Sequence, residues 1–98
     1  FLPKILNINY FLWLNFVILK DKKSAKKLIT YLNKKKIDSY FFWKPIHLQD
    51  FANKINKENM KFTNSIWNRL VPIPSSICLK KNDQIKIIKS LNKFKNDK

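Results

Sequence analysis

The chain contains no glycine. Loops that cradle phosphate need backbone that comes close to the anion and takes positive φ. Walker-type loops and dinucleotide fingerprints are therefore excluded, and a cofactor phosphate cup within these residues is not expected. Cysteine is nearly absent as well. Cys78 stands alone, so the chain can form neither an internal disulfide nor a cysteine-pair zinc site, and no metal site is expected. A reduced, cytoplasmic setting is the default. His47 is the only histidine and Arg69 the only arginine. Long hydrophobic runs are missing too. The longest, residues 10–19, is broken by Asn15, and a membrane helix needs about twenty apolar residues. It reads as a buried strand, with no membrane partner and no signal-peptide pattern.

What the chain has in excess is positive charge. Six acidic residues face 21 basic ones, for a net charge of +15. Such a balance normally points to nucleic acid or an anionic surface. Here all the basic residues but Arg69 are lysine, and Asn, Ile and Phe are abundant as well. All of these have AT-rich codons, so a base-composition bias in the gene accounts for the lysines without a partner. Ninety-eight residues make one small domain with a modest core.

Hydrophobic periodicity orders the elements as β-α-β-loop-α-β-α. Residues 10–19 are apolar almost throughout, as in a strand covered on both faces. Asp21 is placed to cap a helix over 22–35, in which Ala25, Leu28, Ile29 and Leu32 make one apolar stripe. Residues 37–43 read as a second, aromatic strand that Pro45 ends. Residues 47–61 read as a polar loop with room for one helical turn. Thr63 is the expected cap of a short helix over 64–69 that turns Ile66, Trp67 and Leu70 inward. Residues 71–74 read as a short edge strand. Lys81 or Asn82 opens a last helix to about Phe94, with Ile85, Ile88, Leu91 and Phe94 as its buried stripe. This alternation is an α/β (α+β) layer.

Two segments carry a resemblance. Trp43-Lys44-Pro45-Ile46-His47-Leu48-Gln49 is followed downstream by Val71-Pro72-Ile73-Pro74-Ser75-Ser76. With Trp13-Leu14-Asn15 ahead of them, they resemble the C-terminal domain of the DegT/DnrJ/EryC1/StrS family of pyridoxal-phosphate sugar aminotransferases, over about residues 10–94. The resemblance implies the small domain of the aspartate-aminotransferase-like fold, with a mainly antiparallel sheet and helices on one face. It implies that residues 1–9 lead in from an N-terminal domain holding pyridoxal phosphate, that 10–95 form the small domain, and that 96–98 are a frayed tail. It further implies a nucleotide-sugar substrate, glutamate as amino donor, a role in surface polysaccharide or glycan synthesis, and a homodimer. The catalytic lysine and the cofactor contacts of the family belong to the large domain. The spacing Ser-x-x-Lys recurs at Ser24–Lys27 and Ser90–Lys93, but the resemblance places the family's catalytic lysine outside this segment, so no catalytic or cofactor-binding residue is assigned, and the segment alone is expected to be inactive.

By the same resemblance, His47, Gln49 and Lys44 are substrate-side candidates. His47 either orients the sugar or a phosphate, or is a structural histidine bonded to backbone. Gln49 either reads a sugar hydroxyl or caps local backbone. Lys44 either pairs with a diphosphate as a point charge or is one more solvated lysine. Trp43 reads as a core or interface aromatic, and Arg69 as a helix-end residue pairing locally. Ser75 and Ser76 are nucleophiles by type only. The chain departs from the family at four places. Lys36 stands where relatives have the glycine that stops the helix, a cost of about 1 kcal/mol if positive φ is kept. Tyr40-Phe41 replaces Arg-Pro, Asp50 replaces a proline, and Lys80 replaces a threonine cap whose role Asn82 is free to take. Two rival readings remain. One is a small basic domain that binds single-stranded nucleic acid on Tyr40, Phe41, Phe42 and Trp43, disfavoured because these aromatics look buried. The other is the inactive product of a decayed gene.

Overall fold

The computed structural model describes residues 13–52 and 59–97. Strand β1, Asn15–Ile18, pairs antiparallel with β2, Leu70–Ile73, in the register Asn15↔Ile73 to Ile18↔Leu70. The helices are α1 (Lys22–Lys34), α2 (Lys61–Ile66) and α3 (Lys81–Asn96). Tight 3-10 turns occupy Ile46–Leu48, Asp50–Ala52 and Trp67–Arg69. The α+β layer with a small antiparallel sheet is as the resemblance implies.

Helix α1 forms for the reasons its sequence states. The Asp21 carboxylate accepts the Ser24 N–H at 2.7 Å, satisfying one of the free donors of the first turn. Ala25, Leu28 and Leu32 are fully buried, with Ile29 packed beside them. The helix ends in a Schellman turn. Lys36 N–H donates to the Asn33 carbonyl and Ile37 N–H to the Leu32 carbonyl, both at 3.0 Å. That geometry requires a left-handed residue, and Lys36 supplies it at φ 57°.

The core joins Ala25, Leu28, Leu32 and Ile37 to Val71 of β2 and Ile87 of α3. Each fully buried leucine contributes about 1.5–3 kcal/mol. Val17 and Ile73 pack against the same cluster, so α1 and α3 cover one face of the sheet. Alternation along β1 sends Phe16 to the other face, where its ring lies 6.1 Å from that of Phe42. Arg69 fastens the sheet's end. Its Nε donates to the Leu19 carbonyl at 2.6 Å, its guanidinium reaches the Ser65 carbonyl at 3.3 Å, and Leu19 N–H donates to the Arg69 carbonyl.

Five expectations are corrected. Residues 37–43 are extended but join no ladder. Ser39 explains why. Its N–H and C=O are both taken by the Asn33 side-chain amide, at 3.1 and 3.0 Å, and its hydroxyl donates to the Pro72 carbonyl at 3.1 Å. Pro72 presents that carbonyl on the edge away from β1, where a proline has no N–H to offer a third strand. The described part of the first strand is only four residues long, and Ile18 is exposed, so the face it shares with half-buried Phe16 is only partly covered. Thr63 lies inside α2 rather than capping it; Met60 precedes the helix and makes no side-chain cap. Asn82 does not cap α3. Lys80 occupies the cap position, and the Asp83 carboxylate reaches back to its N–H at 3.2 Å. Finally, α3 is rotated. Ile87 and Ser90 are buried with Leu91 and Phe94 beside the core, whereas Ile85 and Ile88 are exposed, Ile88 at 57%. Apolar residues at 85, 87, 88, 91 and 94 allow two stripes. The one containing Ser90 lets α3 come closer to the core.

Candidate functional site

Pro45 opens the turn that carries the candidate residues. Its φ of −55° suits the ring's fixed torsion. Its carbonyl accepts the Leu48 N–H, and the Ile46 carbonyl accepts the Gln49 N–H, both at 3.0 Å. The Gln49 side-chain amide donates to the Lys44 carbonyl at 3.0 Å and closes the turn across its mouth. Gln49 therefore spends its N–H on local backbone. Lys44, His47 and Gln49 all ride on this one short loop, with Lys44 exposed and the other two half-buried.

His47 is tied elsewhere. Its Nε2 lies 2.7 Å from the Asn64 Oδ1, on α2 and 17 residues away. Reading along the chain gave no hint of Asn64, because a side-chain partner at that separation across a loop leaves no periodic mark. Asp50, where relatives have proline, begins the next 3-10 turn and is exposed.

Beside the turn lies an aromatic array. Trp13 and Trp43 have ring centroids 5.9 Å apart and tilted by 53°, and Phe42 stacks on Trp43 at 5.5 Å and 30°. Trp13 is 67% and Trp43 57% exposed, and Tyr40 and Phe41 are exposed beside them. The expectation that these aromatics are buried is overturned for Tyr40, Phe41 and Trp43, while Phe42 is half-buried. Without a third strand, Phe42 covers Phe16 on the sheet face opposite α1 and α3, while Trp13, Trp43 and Tyr40 stay open to solvent.

The described residues do not build a cradle for pyridoxal phosphate. A lysine that condenses with a carbonyl works best desolvated or beside another cation that lowers its pKa. Every described lysine is exposed except half-buried Lys35, whose ammonium sits 5.1 Å from the centre of the Tyr31 ring. No group of three or more His, Cys, Asp or Glu among the described residues could hold a metal. Ser75 and Ser76 line a shallow hollow of about 320 Å³ with Asn15, Ile73, Gln84 and Ile88. No histidine or carboxylate lines it to activate a hydroxyl. Cys78 is free and exposed. Among the described residues no helix is long and apolar enough to cross a membrane.

No curated protein matches the chain. The model of the DegT/DnrJ/EryC1/StrS aminotransferase family, however, matches residues 5–92, which take in β1, the Pro45 turn, β2 and most of α3. With nearly the whole chain inside that match and an α+β layer of the expected kind, the chain belongs to the DegT/DnrJ/EryC1/StrS aminotransferase family.

Proposed function

We propose that the chain is the C-terminal small domain of a nucleotide-sugar aminotransferase, acting in the cytoplasm as a homodimer. The complete enzyme moves an amino group, with glutamate as donor, onto a keto-sugar nucleotide destined for surface polysaccharide or glycan. Pyridoxal phosphate, held by a large N-terminal domain, supplies the electron sink for that exchange. The residues described here have other tasks: they bind and orient the substrate and exclude water from one side of it. His47 hydrogen-bonds the sugar, Gln49 holds the turn and offers its amide oxygen to a hydroxyl, and Lys44 places a charge near the diphosphate. The family match over residues 5–92 carries this reading. The uncovered aromatic face supports it, because a contiguous apolar surface of this kind suits a domain that packs against another.

The test is amino transfer from glutamate to a panel of keto-sugar nucleotides by this chain joined to a cofactor-loaded N-terminal domain. Transfer is expected, with His47→Ala raising KM at least fivefold. A loaded enzyme that turns over no keto sugar sinks the proposal.

Exposure of Tyr40, Phe41 and Trp43 beside Lys44 favours one rival, single-stranded nucleic-acid binding by base stacking. Tryptophan quenching by an oligo-dT strand, with a log–log salt slope steeper than about −2 for three or more phosphate contacts, supports that rival. Absence of quenching at low salt removes it.

A further inference from the structure

We infer that Asn64 is a positioning residue: its carbonyl decides which ring nitrogen His47 offers to a substrate. Asn64 Oδ1 lies 2.7 Å from His47 Nε2. An amide oxygen can only accept, so the neutral ring must carry its proton on Nε2. Nδ1 is then the lone-pair nitrogen, and no hydrogen bond to it is formed among the described residues. A neutral His47 held this way accepts a hydrogen bond at Nδ1. It suits a hydroxyl of the sugar and does not suit a phosphate oxygen, which needs a donor. This deepens the proposed function, on which its substrate half rests. The tautomer half stands on the geometry alone.

The two ends of the contact are well placed to hold it. His47 sits in a turn closed by the Pro45 and Ile46 carbonyls and by the Gln49 amide. Asn64 is held in α2 by its own N–H, which donates to the Met60 carbonyl at 2.9 Å. The contact therefore bridges the Pro45 turn and α2 across a long connection. It fixes ring orientation as well as tautomer, the usual way in which a histidine's second nitrogen sets the role of the first.

The test is imidazole nitrogen NMR on the 98-residue chain at about pH 8.5, some two units above an ordinary imidazole pKa. The wild type is expected to show a protonated, slowly exchanging Nε2 and an unprotonated Nδ1, with a tautomer ratio above that of a blocked histidine peptide. Asn64→Leu should lose the slow proton and fall to the peptide ratio. Asn64→Asp, which can accept but not donate, should keep the wild-type pattern. Dispersed indole N–H signals from Trp13, Trp43 and Trp67 identify variants that have kept their fold, and Asn64→Asp decides the matter if Asn64→Leu has not. A proton on Nδ1, meaning that the amide donates, overturns the inference, as does a wild-type ring indistinguishable from the peptide. In the amino-transfer assay, Asn64→Leu should raise KM for the keto-sugar nucleotide at least threefold with kcat within twofold, and Asn64→Asp should restore it. An unchanged KM overturns the hydroxyl-accepting role while leaving the tautomer result in place. An enzyme without transfer activity instead defeats the proposed function.

Discussion

Lys36 carries a β-carbon into a conformation that usually belongs to glycine. At φ 57° its side chain crowds the backbone, and the Schellman hydrogen bonds of Lys36 and Ile37 hold it there. Replacing Lys36 with glycine should stabilise the chain by about 1 kcal/mol, seen as a higher urea midpoint with unchanged slope. Lys36→Val should do the opposite, because a branched β-carbon fits that region worse. Arg69 works the other way. One charged side chain ties α2 to Leu19, just past β1, through two carbonyls, so Arg69→Met should cost about 1.5–3 kcal/mol. Lysine should not restore the loss, since a single ammonium cannot reproduce the guanidinium fork. Lys36 stood out by the resemblance, as the residue in place of a helix-stopping glycine. The partners of Arg69 did not, because Leu19 lies 50 residues away.

The three helices differ in how well their caps and stripes are written. Helix α1 has a capping aspartate, a single unambiguous stripe and an identifiable stop. Asp21→Ala should cost about 1 kcal/mol by loss of the cap, whereas Thr63→Ala, inside α2, should change stability by less than about 0.5 kcal/mol. Urea melts of the two variants test both statements. Helix α3 is written ambiguously, and packing chose between its stripes. Ile87→Ala should therefore destabilise by about 2–5 kcal/mol, and Ile85→Ala by roughly 0.5 kcal/mol or less. Equal losses would show that α3 is not rotated as described. The missing strand at 37–43 has the same lesson. Its aromatic, β-branched composition is right for a strand, yet composition cannot register that Pro72 lacks a donor on the facing edge or that Asn33 has already taken both polar groups of Ser39.

For the whole molecule, helices α1 and α3 and the aromatics sit on opposite sides of a two-stranded sheet. One side is a finished core. The other presents Trp13, Trp43 and Tyr40 to solvent, in a chain of net charge +15. Charge opposes self-association and the aromatic face favours it. Sedimentation at rising salt should show increasing self-association of the chain, as screening removes the repulsion. Trp13→Lys with Trp43→Lys should abolish it. A salt-independent monomer would mean that the aromatic face is not adhesive.

Composition and local pattern were enough for a good deal. The absence of glycine excluded phosphate loops. A capped amphipathic run made α1, and two short motifs carried the family. These are properties of neighbouring residues, and a chain reveals them because helix capping, turn chemistry and periodicity act within a few positions. Only the tertiary structure decided that 37–43 stay out of the sheet, that α3 turns Ile87 inward, that the aromatics stand uncovered, and that Asn64 meets His47. Each of these depends on groups brought together from far along the chain, where hydrogen-bond partners and packing volume, rather than local preference, choose among arrangements that the sequence permits equally.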